Sequence, residues 1–128
     1  MTYAKSFREL EVYKLSRELA GEIFQISKSF PKEETYSLTN QIRRSSRSVG
    51  AQIAEAWAKR KYERHFISKL TDADGEQQET QHWLETAFDC KYIDKATLKS
   101  LLNKCESIGK MLNGMMAKSK LFCKVFDN

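Results

Sequence analysis

Apolar residues recur every three or four positions through four long stretches of this 128-residue chain. That interval places them on one face of an α-helix, whereas a half-buried β-strand would alternate apolar and polar residues. The most regular series consists of Phe66, Leu70, Ala73, Gln77, Thr80, Leu84 and Ala87. A single proline and five glycines leave few positions for tight turns, which argues against a β-sandwich or a barrel. The spacing therefore predicts an all-α protein.

Four helices are predicted, over residues 7–29, 34–59, 63–89 and 95–120. Pro31 interrupts the first apolar series, because proline has no amide donor and disfavours helix in the residue before it. Asp94 stands where an N-cap would start the fourth helix. The short links between the helices force neighbours to run antiparallel. We therefore predict one domain, residues 1–128, folded as an up-down-up-down antiparallel four-helix bundle.

Two features inside the predicted helices indicate specific packing. Gly50 lies within the second helix, where a glycine costs up to about 1 kcal/mol relative to alanine. Close approach of a neighbouring helix would offset that cost. Gln77 and Thr80 make the centre of the third apolar series polar. A polar centre in a helical seam usually fixes register or oligomeric state at some expense of stability.

The sequence shows neither a secretory signal nor a membrane span. The N-terminus lacks a basic segment followed by an apolar one, and no stretch approaches the roughly 18 apolar residues of a membrane helix. Cys90, Cys105 and Cys123 lie far apart, with no C-x-x-C pair. Free buried thiols in a reducing compartment are therefore expected. These observations predict a cytoplasmic protein without a membrane partner.

One motif resembles a metal site. Glu79 and His82 form a Glu-x-x-His pair, the spacing that di-iron bundles use to place a carboxylate and an imidazole on one helix face. Such a site needs a second motif of the same kind. The other histidine, His65, has Tyr62 at the corresponding position. We therefore predict no metal and no cofactor.

Catalytic constellations are equally sparse. No cysteine lies near a histidine in the sequence, and no nucleophile elbow, P-loop or dinucleotide-binding glycine motif occurs. Glu55 and Glu79 are placed to form a carboxylate pair across the second and third helices. A simpler role for either is a buried polar network with an arginine or with Gln41. The sequence therefore predicts a protein that is not an enzyme.

Charge is segregated along the chain. Residues 37–70 carry eight lysines and arginines against two acids, and residues 71–94 carry seven acids against one lysine. The candidate nucleic-acid-binding residues are Arg43, Arg44 and Arg47 on one side of the second helix, and Lys59, Arg60, Lys61 and Arg64 at its junction with the third. Guanidinium groups flanked by serine hydroxyls suit phosphate oxygens. Trp57, Tyr62 and Phe66 are interleaved with the second cluster and offer rings for base stacking.

Two functions fit this pattern. The first is a non-enzymatic, oligomeric nucleic-acid-binding protein that contacts phosphates with little sequence preference. The second is an interaction module, in which the basic block of one copy docks on the acidic block of the next or on a protein partner. Arg43, Arg44 and Arg47 exposed on one face would favour the first function, and the same arginines buried against the carboxylates of a neighbouring copy would favour the second.

Long ordered motifs carry a family resemblance. The stretches are FREL-EVYKLSRELA at 7–20, FPKEETYSL at 30–38, QIRRSSRSVGAQIAEA at 41–56, DADGEQQET at 72–80 and DCKYI at 89–93. With Phe66 and Leu70, they resemble the four-helix-bundle proteins encoded by intervening sequences in bacterial 23S rRNA genes. The resemblance covers nearly the whole chain.

The resemblance implies a bacterial bundle that assembles as a homopentameric ring. A more distant branch, the accessory variability protein of diversity-generating retroelements, binds a reverse transcriptase and nucleic acid, so the implied partners are RNA or DNA and a nucleic-acid-processing protein. Arg43 and Arg44 match recurring family positions. The other matches are assigned to structure or assembly: Gln41, Ser48, Glu55, Gly75 and Glu79. Gln52, Ala56 and Glu76 depart from the family pattern.

Overall fold

A computed structural model of the chain describes residues 4–124 and contains four long helices. The elements are α1 (Glu11–Ser27), α2 (Asn40–Ala58), α3 (Glu63–Asp89), α4 (Lys95–Ala117) and a short α5 (Ser119–Cys123). Each long helix packs against the next, and α4 packs back on α1. The described residues contain no β-strand. The predicted all-α, antiparallel four-helix bundle is confirmed.

The first helix begins later than its apolar spacing indicates. Phe7–Glu9 form a separate 3-10 turn, because the side chains of Ser6 and Glu9 cap each other's backbone amides and close the turn. Leu10 then adopts extended backbone, with ψ of 130°. The α-helix therefore starts at Glu11 rather than at Phe7.

The second helix also begins late, at Asn40 rather than near residue 34. A 3-10 turn, Lys32–Glu34, and a π-helical turn, Thr35–Thr39, precede it. The carboxylate of Glu34 accepts hydrogen bonds from the Leu38 amide and from the Tyr92 hydroxyl, the latter at 2.9 Å. Tyr92 lies between α3 and α4, so this contact fixes the irregular segment to the α3–α4 connection at the same end of the bundle.

The core consists of the apolar faces that the sequence indicated. All seven residues of the regular series in α3 are buried, including polar Gln77 and Thr80. The Thr80 hydroxyl lies 2.9 Å from the hydroxyl of Ser45 on α2, and both side chains are fully buried. Among the described residues, no buried side-chain nitrogen or oxygen lacks a hydrogen-bond partner. The polar centre of the seam therefore links two helices at a defined register.

Glycine permits close helix contact at two positions. A Cβ at Gly50 would lie 3.1 Å from the Ser16 hydroxyl and 3.5 Å from the Tyr13 ring. This contact with α1 is the close approach that a glycine inside α2 indicated. A Cβ at Gly109 in α4 would lie 2.8 Å from the amide nitrogen of Gln77 in α3.

Two of the three cysteines are buried in the fold. Cys105 and Cys123 are buried, but Cys90 is exposed at the end of α3, so the expectation that all three thiols are buried is wrong for Cys90. Burial raises the pKa of the Cys105 thiol to about 12.

None of the helices within residues 4–124 combines the length and apolar character needed to cross a bilayer.

Candidate functional site

The three arginines of α2 lie on two different sides of the bundle. Arg43 and Arg47 face α1, where both guanidinium groups lie over the ring of Phe24. Arg44 faces α3, where it meets Glu76 and Glu79. Adjacent helix residues are about 100° apart, which separates Arg44 from its neighbours. The prediction that the three arginines share one side of α2 is therefore wrong, and the condition that would have favoured nucleic-acid binding through them, all three exposed on one face, is not met.

Arg44 forms an ion-pair network with α3. Its Nη2 donates to Oε2 of Glu79 at 2.7 Å, and its Nη1 donates to Oε2 of Glu76 at 3.4 Å. The indole N–H of Trp83 donates to the same Glu79 oxygen at 3.0 Å. The Trp83 hydrogen bond and then Arg44 lower the pKa of Glu79, and the hydrogen bond to Glu79 raises that of Arg44. Arg44 is thus neutralised within the chain and links α2 to α3.

Glu55 does not pair with Glu79. Its carboxylate lies 3.6 Å from the ammonium group of Lys69, which also donates to the side chain of Gln52. Glu55 and Gln52 occupy the α3-facing side of α2, as Arg44 does. Helical spacing places Gln41 and Ser48, both half-buried, on that side as well. This side of α2 is a polar contact with α3.

Gly75, a predicted assembly position, and His82, considered above as a metal ligand, have no role inside the chain that requires their residue type. Gly75 is exposed, and a Cβ added there would meet no atom within 4 Å. His82 is exposed with its ring edge against Trp83, at 4.6 Å between centroids. Glu79, its partner in the Glu-x-x-His motif, is engaged by Arg44 and Trp83. No cluster of three histidine, cysteine or acidic side chains suited to a metal occurs within the described part of the chain.

Arg43 and Arg47 surround Phe24 on the α1 side. Their guanidinium carbons lie 4.7 and 5.4 Å from the ring centroid, and the ammonium group of Lys28 lies 4.9 Å from it. Nε of Arg43 donates to the hydroxyl of Ser27 at 2.7 Å. Within residues 4–124, neither arginine forms an ion pair with a carboxylate. Both are therefore available to an anion.

The junction of α2 and α3 gathers a positive cluster. The antiparallel topology brings the end of α4 and α5 beside this junction. We call the resulting surface the basic end; it consists of Lys59, Arg60, Lys61, Arg64, Lys118, Lys120 and Lys124. Sequence reasoning missed the last three residues. The net positive charge of residues 95–128, combined with the antiparallel order, was the signal that would have found them.

The basic end has an apolar floor. A depression of about 430 Å³ is lined by Ala4, Trp57, Arg60, Lys118, Leu121, Phe122 and Lys124. Arg60 lies 3.6 Å above the Trp57 ring, and burial lowers its pKa. Glu63 accepts a hydrogen bond from Ser119 at 2.6 Å and pairs with Lys120 at 3.6 Å. Its negative charge offsets a small part of the cluster.

The aromatic residues predicted to stack bases differ in accessibility. Phe66 is fully buried and stacks on Phe122, with 5.7 Å between centroids, so it belongs to the core. Tyr62 is 58% exposed, and Trp57 is half-buried under Arg60. Two of the three rings are therefore within reach of a ligand.

The side of the bundle between α3 and α4, opposite the α1–α2 side that carries Arg43 and Arg47, is acidic. A groove of about 780 Å³ runs between these helices, and we call it the acidic groove. Its charged and amide side chains include Asp74, Gln78, Gln81, Glu85, Glu106 and Lys110. The chain therefore carries surfaces of opposite charge on opposite sides.

These features define a class of protein: an antiparallel four-helix bundle with a cationic end and a polarised surface. A family model described as 23S rRNA-intervening sequence protein matches residues 8–114. The chain belongs to this family, which confirms the resemblance seen in its sequence.

A solved structure has the same fold. It is the crystal structure of a protein of unknown function from the S23 ribosomal protein family of Bacteroides thetaiotaomicron. The two chains are 33% identical and superpose with a TM-score of 0.75, over 83% of this chain and 95% of the other. No curated protein matches the chain.

Proposed function

We propose that this protein is a non-enzymatic, oligomeric nucleic-acid-binding protein of the bacterial cytoplasm. The observation that carries the proposal is the basic end, where two segments far apart in sequence meet and place seven lysine and arginine side chains on one surface. A surface of that kind favours a polyanion over a small anion. The names of the matched family and of the solved relative refer to 23S rRNA and to a ribosomal protein family, so RNA is the first ligand to test.

Binding through this surface is expected to depend on phosphate contacts. Lys61, Arg64 and Lys124 are exposed, and cations of that kind neutralise phosphates and release counterions without reading bases. Arg44 has no part in this surface, because Glu76 and Glu79 already pair with it. A homo-oligomer, the pentamer that the family resemblance implies, would repeat the basic end and raise affinity by multivalency.

The test is a fluorescence-anisotropy titration with a structured RNA hairpin and a DNA duplex at low salt. The triple variant Lys59→Gln/Lys61→Gln/Arg64→Gln is expected to weaken binding at least tenfold. The control is Lys95→Gln/Lys99→Gln/Lys110→Gln, which removes the same charge from α4. No binding of the unmodified protein below about 10 µM would remove the proposal, since non-specific binders reach 10⁻⁴–10⁻⁶ M even at physiological salt. Equal losses in the two triple variants would exclude the basic end as the binding surface.

A second candidate function is an assembly module, favoured by the acidic groove. The groove between α3 and α4 lies opposite the α1–α2 side that carries Arg43 and Arg47. A head-to-tail contact between such surfaces joins copies through different patches and closes into a ring when the rotation permits. In this case the arginines would be covered by a neighbour's carboxylates.

Light scattering at low and high salt tests the assembly module. Glu85→Lys/Glu106→Lys is expected to lower the molar mass at low salt, because like charges would then face each other. Glu33→Lys/Asp89→Lys changes the same charge outside the groove and serves as the control. An unchanged mass in the groove variant would exclude this role for the acidic groove.

A further inference from the structure

Arginine–aromatic pairs line the groove between α1 and α2. Three rings that line it, those of Phe7, Tyr13 and Phe24, and the ring of Trp57 one helical turn beyond each have a guanidinium group within about 6 Å, the range of a cation–π contact. The pairs are Arg43 and Arg47 with Phe24 at 4.7 and 5.4 Å, Arg17 with Tyr13 at 6.0 Å, Arg8 with Phe7 at 4.5 Å and Arg60 with Trp57 at 3.6 Å. Four of the five contacts involve rings that line the groove, and the fifth lies at the neighbouring basic end.

The pairs follow one line along the bundle. On α2, Arg43, Arg47 and Trp57 recur at intervals that keep them on the α1-facing side. From Arg43 to Trp57 the helix rises about 21 Å, at 1.5 Å per residue. At the Phe7 end, Ala4 and Trp57 begin the depression of the basic end. The groove therefore ends about one helical turn from the basic end, between Ala54 and Trp57.

The groove between the rings is open. It encloses about 530 Å³, and small residues form its floor: Ala20, Gly21, Gly50, Ala51 and Ala54. The charged side chains among its lining residues are those of Arg17 and Arg47. An occupant would therefore meet flat rings, guanidinium planes and positive charge, a combination that complements a chain of phosphates and aromatic bases.

Hydrogen bonds fix the orientation of the Arg43 guanidinium group at one end of the row of arginine–aromatic pairs. The buried hydroxyl of Ser27 accepts from its Nε and donates to the backbone carbonyl of Phe24. This relay fixes the guanidinium plane above the ring. A fixed plane lowers the entropy lost when a base stacks on its outer side.

We propose that this groove binds a single strand of nucleic acid. The inference rests on the proposed function and specifies its ligand. Unpaired bases stack on the guanidinium planes and rings at Phe24 and Tyr13, while phosphates contact Arg17 and Arg47 and the strand continues onto the basic end. A duplex keeps its bases stacked inside and offers the groove only its phosphates. The groove therefore discriminates single strands from duplexes.

The experiment compares a labelled 20-nucleotide oligo(U) with a 20-base-pair RNA duplex by anisotropy at equal salt. Phe24→Leu keeps apolar volume but removes the ring, and it is expected to weaken oligo(U) binding about tenfold, since each base–aromatic stack contributes strongly to single-strand affinity. Duplex binding should change less than twofold. Phe88→Leu, at a half-buried phenylalanine on α3, is the matched control and should affect neither ligand.

A second variant covers the case in which Phe24→Leu does not fold. Arg43→Lys keeps the charge but removes the planar fork, so it should also weaken oligo(U) selectively. Equal losses of affinity for both ligands, or no loss of affinity for oligo(U), would overturn the proposal that the groove binds a single strand. A fall in molar mass in either variant would show that the groove is a contact between copies of the chain, and it would overturn the single-strand proposal as well.

Failure of the inference is distinguishable from failure of the proposed function. Unmodified protein that binds the duplex but not oligo(U) retains the proposed function and excludes the single-strand groove. Unmodified protein that binds neither ligand excludes both. The groove variants are expected to lose oligo(U) binding selectively. The basic-end triple variant is expected to bind both ligands more weakly.

Discussion

Gly109 is buried where α4 packs on α3, and its lack of a side chain leaves room for Gln77 between the helices. The amide nitrogen of Gln77 donates to Asp74 at 2.8 Å, and its amide oxygen accepts from Gln81 at 2.8 Å. Gln77 is 3% exposed and tied at both ends, so it cannot move aside without losing hydrogen bonds. Gly114, in the same helix, has nothing within 4 Å of an added Cβ.

The two glycines are therefore expected to respond to alanine with opposite signs. Gly109→Ala should lower the free energy of unfolding by about 1–2 kcal/mol, because overpacking outweighs the gain in helix propensity. Gly114→Ala should raise it by about 0.5–1 kcal/mol through that gain alone. Urea titration followed by circular dichroism measures both. Stabilisation by Gly109→Ala would show that Gln77 relaxes freely.

Glu79 makes stability depend on pH in a defined direction. Trp83 and Arg44 hold its pKa below the ordinary value of 4.5 in the folded protein. A lowered pKa contributes stability above the unfolded value, and this is lost as the pH falls through the folded value. Between pH 7 and pH 3, the unmodified protein should lose more stability than Glu79→Gln, which does not titrate. Parallel losses in urea titrations of the two proteins would contradict this role.

At the scale of elements, periodicity placed the helices better than it placed their ends. The third helix occupies the predicted residues 63–89 because the heptad spacing of its buried positions is unbroken, even through polar Gln77 and Thr80, and Asp89 is followed by a short turn. Asp94 caps α4 as predicted, through a 2.7 Å hydrogen bond from the Thr97 amide. The starts of α1 and α2 were missed. Local capping by Ser6 and tertiary contact between Glu34 and Tyr92 determine them, and spacing carries no information on either.

The hydroxyl pair of Ser45 and Thr80 links α2 to α3 within the apolar seam. Each hydroxyl also has a carbonyl oxygen of its own helix within reach, Glu76 at 2.9 Å for Thr80 and Ile42 at 3.4 Å for Ser45, and either hydroxyl can donate to the other. A double-mutant cycle with Ser45→Ala and Thr80→Val should give a coupling free energy of about 1 kcal/mol. Ser46→Ala is the matched control, because its hydroxyl bonds to Arg43 in its own helix. Equal coupling in both cycles would exclude the interhelical bond.

At the scale of the whole molecule, the fold rearranges the charge that the sequence displays as blocks. The sequence identified the junction cluster of Lys59 to Arg64 correctly as a group, since those residues are adjacent in the chain. It could not assign Arg44 to α3, because spacing along one helix does not show which neighbour each side faces. In the sequence, Lys118 also lies more than fifty residues after the junction. The antiparallel fold brings it back beside Arg60.

A charge surface assembled in this way should govern the salt dependence of binding. For each phosphate contact, the slope of log K against log salt steepens by about 0.9 for a duplex and 0.7 for a single strand. Lys59→Gln/Lys61→Gln/Arg64→Gln removes three cations from the basic end, so the slope for duplex DNA should fall by about 2–3. Anisotropy titrations across a series of potassium chloride concentrations measure it. The α4 control variant has the same net charge and should keep the full slope, because affinity depends on where the cations lie. Equal slopes for the two triple variants would instead indicate that net charge alone attracts the polyanion and that the basic end is not where it docks.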